Sequence, residues 1–468
     1  MSERKDVTKS HAGYRPECDR PDTSPGAKAE AHATVRERGQ WSSEWGFMFS
    51  MAAASISLGN LWRFPYMAGE NGGAAFIIAY VIALFGVAVP LMMLEVAAGR
   101  LAHGGTVRTF RGVTRAGRFY GWFVVALTAV ITSYYLVITG WTLGFVTRTA
   151  TLTITDFEAF TEGYNSVWFF LAVTAITALV NWRGLGAIVS LSRYMMPLLL
   201  ATVIGLVFYA MQLEGWTEAT GFLFSWEPGQ LTNPRTWYFA FGQAFFTVAI
   251  GQGYLVTYGS YIPRETHVPR ASLVVTSVQG TVAILAGLMI FPMVFTHDID
   301  PATGSQLAFK AMPEAFREMT GGVWLALIFF ALLFVAALSS CLAGMKVVVA
   351  AIAERLAWTT GRAVLLLSGV FVVLGLPSAL SYAPTDWSIG GRPVLDFVDQ
   401  VAGTNTVLIS GVVGAGLLCW TISKHRIGEG LGSHRGWWVW RVVLVGRSAP
   451  ILVAALLTWR LASSGAGG

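Results

Sequence analysis

Neutral side chains that carry oxygen interrupt three otherwise apolar stretches of this chain. Ser55, Ser57 and Asn60 fall in the run that ends Trp62-Arg63-Phe64-Pro65. Gln243, Thr247 and Gln252 fall in a second run, with Gly251 and Gly253 beside them, and Ser339 and Ser340 fall in a third. Hydroxyl and amide oxygens with no carboxylate among them suit a monovalent cation better than calcium, which favours charged ligands. The glycines and Pro65 mark places where a helix in lipid would have to open. Such a break survives only where protein or a water-filled cavity satisfies the freed backbone. Its exposed N–H groups carry partial positive charge and suit an anion, while its carbonyls suit a small cation. For Ser339 and Ser340 a second reading stands open, in which the hydroxyls only pack or hydrogen-bond between helices.

Ionisable residues extend the pattern. Arg63 lies one turn beyond the first break, and an arginine at membrane depth is costly and normally paired. Asp396 and Asp399, near the outer start of a later apolar segment, are available partners. The pair reads either as a gate or as a static packing salt bridge. Glu95 reads as a structural partner for backbone freed at a break.

The elements that hold these residues are membrane spans. The 468-residue chain is 54% hydrophobic and 12% charged, against about 25% charged in a soluble domain, and its mean hydropathy is +0.57. A spanning helix needs about 20 mostly apolar residues. About 11 segments qualify: 45–70, 75–99, 119–147, 166–182, 187–213, 237–262, 272–296, 323–354, 362–383, 393–421 and 437–462. Arginines and lysines collect in alternate loops, including Arg100, Arg108, Arg111, Arg115 and Arg118 after the second span, then Arg264 and Arg270, and Lys424, Arg426 and Arg435. The intervening loops carry Asp156, Glu158 and Glu162, then Glu214 and Glu218, then Asp298 and Asp300. By the positive-inside rule the N-terminus is cytoplasmic and the C-terminus extracytoplasmic, in the cell inner (plasma) membrane. This topology accounts for the pI of 9.3 without a nucleic-acid partner. Residues 1–40 read as a disordered cytoplasmic tail with no signal peptide. Residues 41–468 read as the membrane domain. Cys18, Cys341 and Cys419 have neither metal-ligand nor disulfide spacing. No Ser/His/Asp constellation and no nucleotide-binding loop is present, so neither an enzyme nor an ATP-driven pump is expected.

The two breaks fall in spans 1 and 6. Five spans separate matching features, so the second half (237–421) enters from the side opposite to the first (45–213), with 437–462 added at the end. That is the 5+5 inverted repeat of several secondary transporters. The fold class expected is an all-α membrane protein of this kind, with helices 1 and 6 broken.

At this point the residues resemble a known family. Ser57-Leu58-Gly59-Asn60-Leu61-Trp62-Arg63-Phe64-Pro65-Tyr66, with Glu70-Asn71-Gly72-Gly73 after it, is similar to the first-helix signature of neurotransmitter:sodium symporters, the sodium- and chloride-dependent transporters. Pro90-Leu91-Met92, Tyr134-Tyr135, Gly242-Gln243-Ala244-Phe245-Phe246-Thr247 and Leu338-Ser339-Ser340 match further family motifs. The bacterial leucine-transporting members supply the template. The resemblance implies sodium-coupled symport of a neutral amino acid by alternating access, as a monomer or weak homodimer in the lipid bilayer. It implies one sodium site from Ala53, Ile56, Ala336, Ser339 and Ser340, and another from Ser55, Asn60, Thr247 and Gln279. The substrate carboxylate would meet the Leu58 and Gly59 amides and the Tyr135 hydroxyl. Ser55, Ser57, Ile131, Phe246, Ala249, Gln252, Ser340 and Gly344 would complete the substrate site. An outer gate would pair Arg63 with Asp399 under Tyr135 and Phe246. An inner gate would pair Arg38 with Glu354 near Trp41 and Tyr261.

Departures from the family pattern bear on substrate and ions. Ser57 stands where amino-acid transporters usually have glycine and monoamine transporters aspartate, which disfavours biogenic amines. Gln279 is one methylene longer than the usual Asn or Asp. Ala283 takes the place of the serine or carboxylate that separates chloride-dependent from chloride-independent members, so chloride stays open, with Tyr80, Gln243 and Thr247 as candidate contributors. Small Ala249 and Gly344 would widen the pocket. Gln252 replaces an aromatic wall with an amide, or folds away onto free backbone. A transport-deficient amino-acid sensor and a sodium-independent facilitator remain as alternatives. A channel is disfavoured because the polar residues cluster at one depth.

Overall fold

The computed structural model describes residues 58–183, 186–225, 228–263, 266–433 and 436–465. Ala53, Ser55, Ile56, Ser57, Arg38 and Trp41 lie outside the described residues, as do the expected tail and the start of the first span. Helix dominates what is described. A π-helical turn, Gly59–Arg63, runs into α1 (Phe64–Glu70). Then come α2 (Ala74–Ala83), a second π-helical turn (Leu84–Ala88) and α3 (Val89–Ala102), followed by α4 (Thr106–Val113), α5 (Gly117–Thr149), α6 (Phe157–Thr161), α7 (Asn165–Arg183), α8 (Gly186–Ala210) and α9 (Trp216–Phe224). The second part comprises α10 (Pro234–Thr247), α11 (Tyr254–Gly259), α12 (Val268–Thr296), α13 (Leu307–Glu318), α14 (Gly322–Leu356) and α15 (Thr360–Leu380). It ends with α16 (Val394–Val398), the π-helical stretch Asp399–Thr406, α17 (Val407–Thr421), α18 (Lys424–Leu431) and α19 (Gly436–Gly465). The strands described, β1 (Ser388–Ile389) and β2 (Arg392–Pro393), form one small antiparallel hairpin. Its turn is Gly390-Gly391, with φ of 60° and 78°, values that glycine tolerates without a side-chain clash.

Among the described residues, 8 helices are long and apolar enough to cross a membrane, and each overlaps a segment expected from the sequence. The remaining expected spans have identifiable reasons for falling short. The first begins outside the described residues. The fifth is α8, a 25-residue helix over Gly186–Ala210 whose described apolar part is Pro197–Ala210. The sixth is divided into α10 and α11, neither of which spans alone. Several expected loops are helical instead: α4, α6, α9, α13 and α18 connect the spans.

Packing sets the break between α10 and α11 at the centre of the bundle. Helix α10 packs on α2 and α17, while α11 packs on α3, α4 and α14. The long α5 runs against α14 and α7. Its Gly140 permits the approach of α7, since a Cβ there would stand 2.8 Å from the Phe170 amide nitrogen. Small residues at such crossings let helix backbones come together in lipid. Helix α12 packs on the π-helical turn Gly59–Arg63. Asn233 starts α10 by accepting from the Arg235 N–H, with Pro234 in the first turn, where its missing N–H costs nothing.

Candidate substrate and ion site

Helix α10 stops at Thr247 because the next residues take left-handed backbone: Ala249 at φ 57°, Gly251 at 70° and Gly253 at 76°. Glycine accepts such angles freely. Ala249 does so at a cost of roughly 1–2 kcal/mol, so the surrounding structure must hold it. Much of the opened backbone is held by side chains from other helices. Gln279 Nε2 on α12 donates to the Thr247 carbonyl at 2.9 Å. The Ser410 hydroxyl on α17 donates to the Gly251 carbonyl at 2.6 Å. Thr128 on α5 donates to the Gln252 carbonyl at 2.6 Å, and Thr106 on α4 to the Gly253 carbonyl at 3.0 Å. Glu95 Oε1 on α3 accepts from the Gly251 N–H at 2.9 Å. The sequence reading of Glu95 as a partner for freed backbone therefore holds. This satisfaction by neighbouring protein is what irregular backbone at membrane depth requires.

Above the break sits a buried ion pair. Arg63 is fully buried, and its Nε donates to both carboxylate oxygens of Asp399 at 3.1 Å. Nη2 donates to Thr404 Oγ1 at 2.7 Å, and Nη1 to Gln243 Oε1. The guanidinium carbon lies 4.4 Å from the centre of the Phe246 ring, within cation–π range. Asp399 also accepts from Tyr134 at 2.7 Å and from Tyr66. Tyr135 lies 6.0 Å from Phe246, centroid to centroid, so the two rings expected to cap the pair stand together. Asp396 is not its partner; it accepts from Tyr382 at 3.4 Å instead. Sequence reasoning missed Tyr66, Tyr134 and Thr404. Tyr66 carried a signal, because it follows Arg63 at the i, i+3 spacing of one helix face. Thr404 did not, because its alignment with Asp399 depends on the π-helical period.

Below the pair is a cavity of about 120 Å³. Ile131, Tyr135, Phe246, Ala249, Gln252 and Ser340, all predicted for the substrate site, line it. So do Thr247, Gln279 and Ser339 from the predicted ion sites. Leu58, Gly59 and Ala336 are buried but do not border it, and neither does Gly344. Gly344 does not widen the pocket as the sequence led one to expect, because the Thr132 and Tyr254 side chains occupy the space its Cβ would take. Met92, Thr132, Tyr254 and Tyr258 are lining residues that sequence reasoning did not assign to the pocket.

The oxygens expected at the ion sites differ in how far they are already used. Gln279 Oε1 is buried with no hydrogen-bond partner, although its Nε2 is anchored on Thr247. An unpaired buried acceptor on a lining residue fits a cation ligand. Thr247 Oγ1 receives hydrogen bonds from Tyr80 at 3.2 Å and from Gln243 Nε2 at 3.3 Å, and Gln243 Nε2 also reaches the Gly59 carbonyl at 3.0 Å. Asn60 is buried beside Leu61 and Trp62 in the first π-helical turn. The Ser339 hydroxyl donates to the Ala336 carbonyl of its own helix at 2.7 Å. Of the residues expected at an inner gate, Glu354 is exposed at the end of α14 and Tyr261 is half-buried.

A polytopic helical bundle with a broken central helix, a cavity at the break that mixes apolar side chains with hydroxyls and amides, and an ion pair above it is the architecture of a secondary transporter. The sequence profile of the sodium:neurotransmitter symporter family matches residues 38–167 and 161–464, and the chain belongs to that family. It is similar to the solved structure of MhsT in complex with L-phenylalanine, with a TM-score of 0.85 and 30% identity, covering 90% of this chain and 99% of that one. Similar curated relatives include an uncharacterized sodium-dependent transporter, YhdH, of Bacillus subtilis. It is 32% identical over 395 residues, which is 80% of this chain and 86% of that protein. The sodium-dependent nutrient amino acid transporter 1 of Drosophila grimshawi is 26% identical over 447 residues, 80% of this chain and 69% of that protein. The protein is accordingly a sodium-dependent multi-pass membrane transporter and not an enzyme.

Proposed function

We propose that this transporter is a secondary active symporter that imports a neutral amino acid by alternating access, driven by sodium. The observation that carries the reading is the unpaired Gln279 Oε1 on a cavity at the helix break, directly beneath the buried Arg63–Asp399 pair. The names of relatives support the substrate class: MhsT is solved with L-phenylalanine, and the Drosophila proteins are named for nutrient amino acids.

In this reading sodium is a substrate held at one site by Asn60, Thr247, Gln279 and the Ser55 carbonyl. A second ion is held by Ser339 and Ser340 with the carbonyls of Ala53, Ile56 and Ala336. The amino-acid carboxylate meets the first ion, the Leu58 and Gly59 amides and Tyr135, and its side chain enters the space between Ile131, Phe246, Ala249 and Gln252. The Arg63–Asp399 pair closes the outer side, and Arg38 with Glu354, near Trp41 and Tyr261, closes the inner side. A 5+5 inverted repeat with the N-terminus cytoplasmic supplies the rocking halves. The test is uptake into proteoliposomes, with an inward sodium gradient against a potassium control. Radiolabelled neutral amino acid should accumulate above equilibrium only with sodium, and Ser340→Ala should lose it. Equilibration without sodium dependence would establish a facilitator instead, and binding without uptake a sensor.

A further inference from the structure

We infer that Gln252 selects a substrate whose side chain is neutral and hydrogen-bonding, with a carboxamide fitting best. The inference deepens the proposed function and rests on the cavity being the substrate site. Gln252 sits within the break, lines the cavity and is 3% exposed. Its Nε2 is buried with no hydrogen-bond partner. The amide has not folded onto the opened backbone, because that work is done elsewhere. The carbonyls of Thr247, Gly251, Gln252 and Gly253 are taken by Gln279, Ser410, Thr128 and Thr106. The Gln252 amide therefore keeps unused hydrogen-bonding capacity at the cavity wall, and a buried amide without a partner is destabilising.

The occupant decides whether that loss is recovered. An apolar side chain would seal the amide in with nothing to bond. A charged one would find no opposite charge, since none of the described residues lining the cavity is ionised at neutral pH, and an uncompensated buried charge is costly. A carboxamide offers its carbonyl to Nε2 and its own NH₂ to the Gln252 oxygen, so donor and acceptor are both satisfied. Ile131, Phe246, Leu255 and Ala343 supply apolar wall for the methylene stem of such a side chain.

The experiment measures sodium-driven uptake of glutamine, methionine and glutamate by the full-length protein in proteoliposomes. Methionine matches glutamine in reach but lacks its hydrogen bonds. The expected result is glutamine over methionine by roughly tenfold or more, the scale of one recovered hydrogen bond, with glutamate poorest. Gln252→Leu should collapse or invert the glutamine-to-methionine ratio, which is read within one preparation and is independent of yield. Methionine equal to or above glutamine in the wild type overturns the inference, and so does an unchanged ratio in Gln252→Leu; in both cases sodium-driven uptake still stands. If no amino acid accumulates, the proposed function falls and the selectivity falls with it. Should Gln252→Leu not reach the membrane, the wild-type ratio decides alone.

Discussion

Arg63 and Asp399 form the most demanding ion pair among the described residues, because both charges are removed from water. Leaving either charge there without the other would be costly. Asp399→Asn would leave the Arg63 guanidinium among Gln243, Thr404 and Phe246 with no counter-charge, and removing one partner of a buried pair costs about 3–5 kcal/mol. The expected outcome is a large fall in thermal unfolding temperature in detergent, together with loss of uptake. A variant of wild-type stability would mean that the pair contributes nothing net. Part of this contact was legible in the chain: a buried arginine needs a partner, the residues left Asp396 and Asp399 both open, and the family resemblance chose Asp399. What was not legible is the ring of neutral partners. Tyr134 and Thr404 reach Asp399 and Arg63 from distant helices, and Thr404 does so through a π-helical stretch that an α-period reading misplaces.

The break between α10 and α11 could be read from Gly251 and Gly253, but the groups that stabilise it could not. Ser410, Thr128 and Thr106 look like ordinary small polar residues in apolar helices, and only the packing of α17, α5 and α4 around the break gives them a purpose. The same packing constrains the glycine. A Cβ on Gly251 would stand 2.5 Å from the Gly411 amide nitrogen, on a residue already at φ 70°. Gly251→Ala should therefore destabilise the protein by more than the roughly 1–2 kcal/mol of left-handed strain alone. Ser410→Ala should cost about 1–3 kcal/mol by orphaning a buried carbonyl. Glu95→Ala should cost a similar amount by orphaning the Gly251 N–H, whereas Glu95→Gln retains an acceptor and should cost less. Thermal unfolding of the detergent-solubilised variants orders them. If Glu95→Gln and Glu95→Ala proved equally harmful, hydrogen bonding to Gly251 would not be what Glu95 contributes. The division of this span into two short helices leaves neither long enough to cross a membrane alone.

For the whole bundle, ion binding and folding are linked. A ligand that binds only the folded form stabilises it by RT ln(1 + [L]/Kd), about 2.7 kcal/mol at one hundred times Kd. The spans were legible because lipid imposes one length on every helix, and the alternation of basic and acidic loops fixed an expected orientation. The candidate ion sites were legible only as oxygens near breaks, since which oxygens remain free depends on the packed structure. Gln279 illustrates this: the sequence presents it as an overlong substitute for Asn or Asp, whereas the fold uses its nitrogen to hold the Thr247 carbonyl and leaves its oxygen unpaired. If that oxygen is a sodium ligand, replacing potassium by sodium at equal ionic strength should raise the unfolding temperature of the wild type. Gln279→Leu should lower the temperature in both salts, because the Thr247 carbonyl loses its donor, and should also shrink the difference between them, because the ligand oxygen is gone. The difference separates the two roles of one side chain. A purely structural Gln279 would shift both temperatures equally and leave the sodium increment intact.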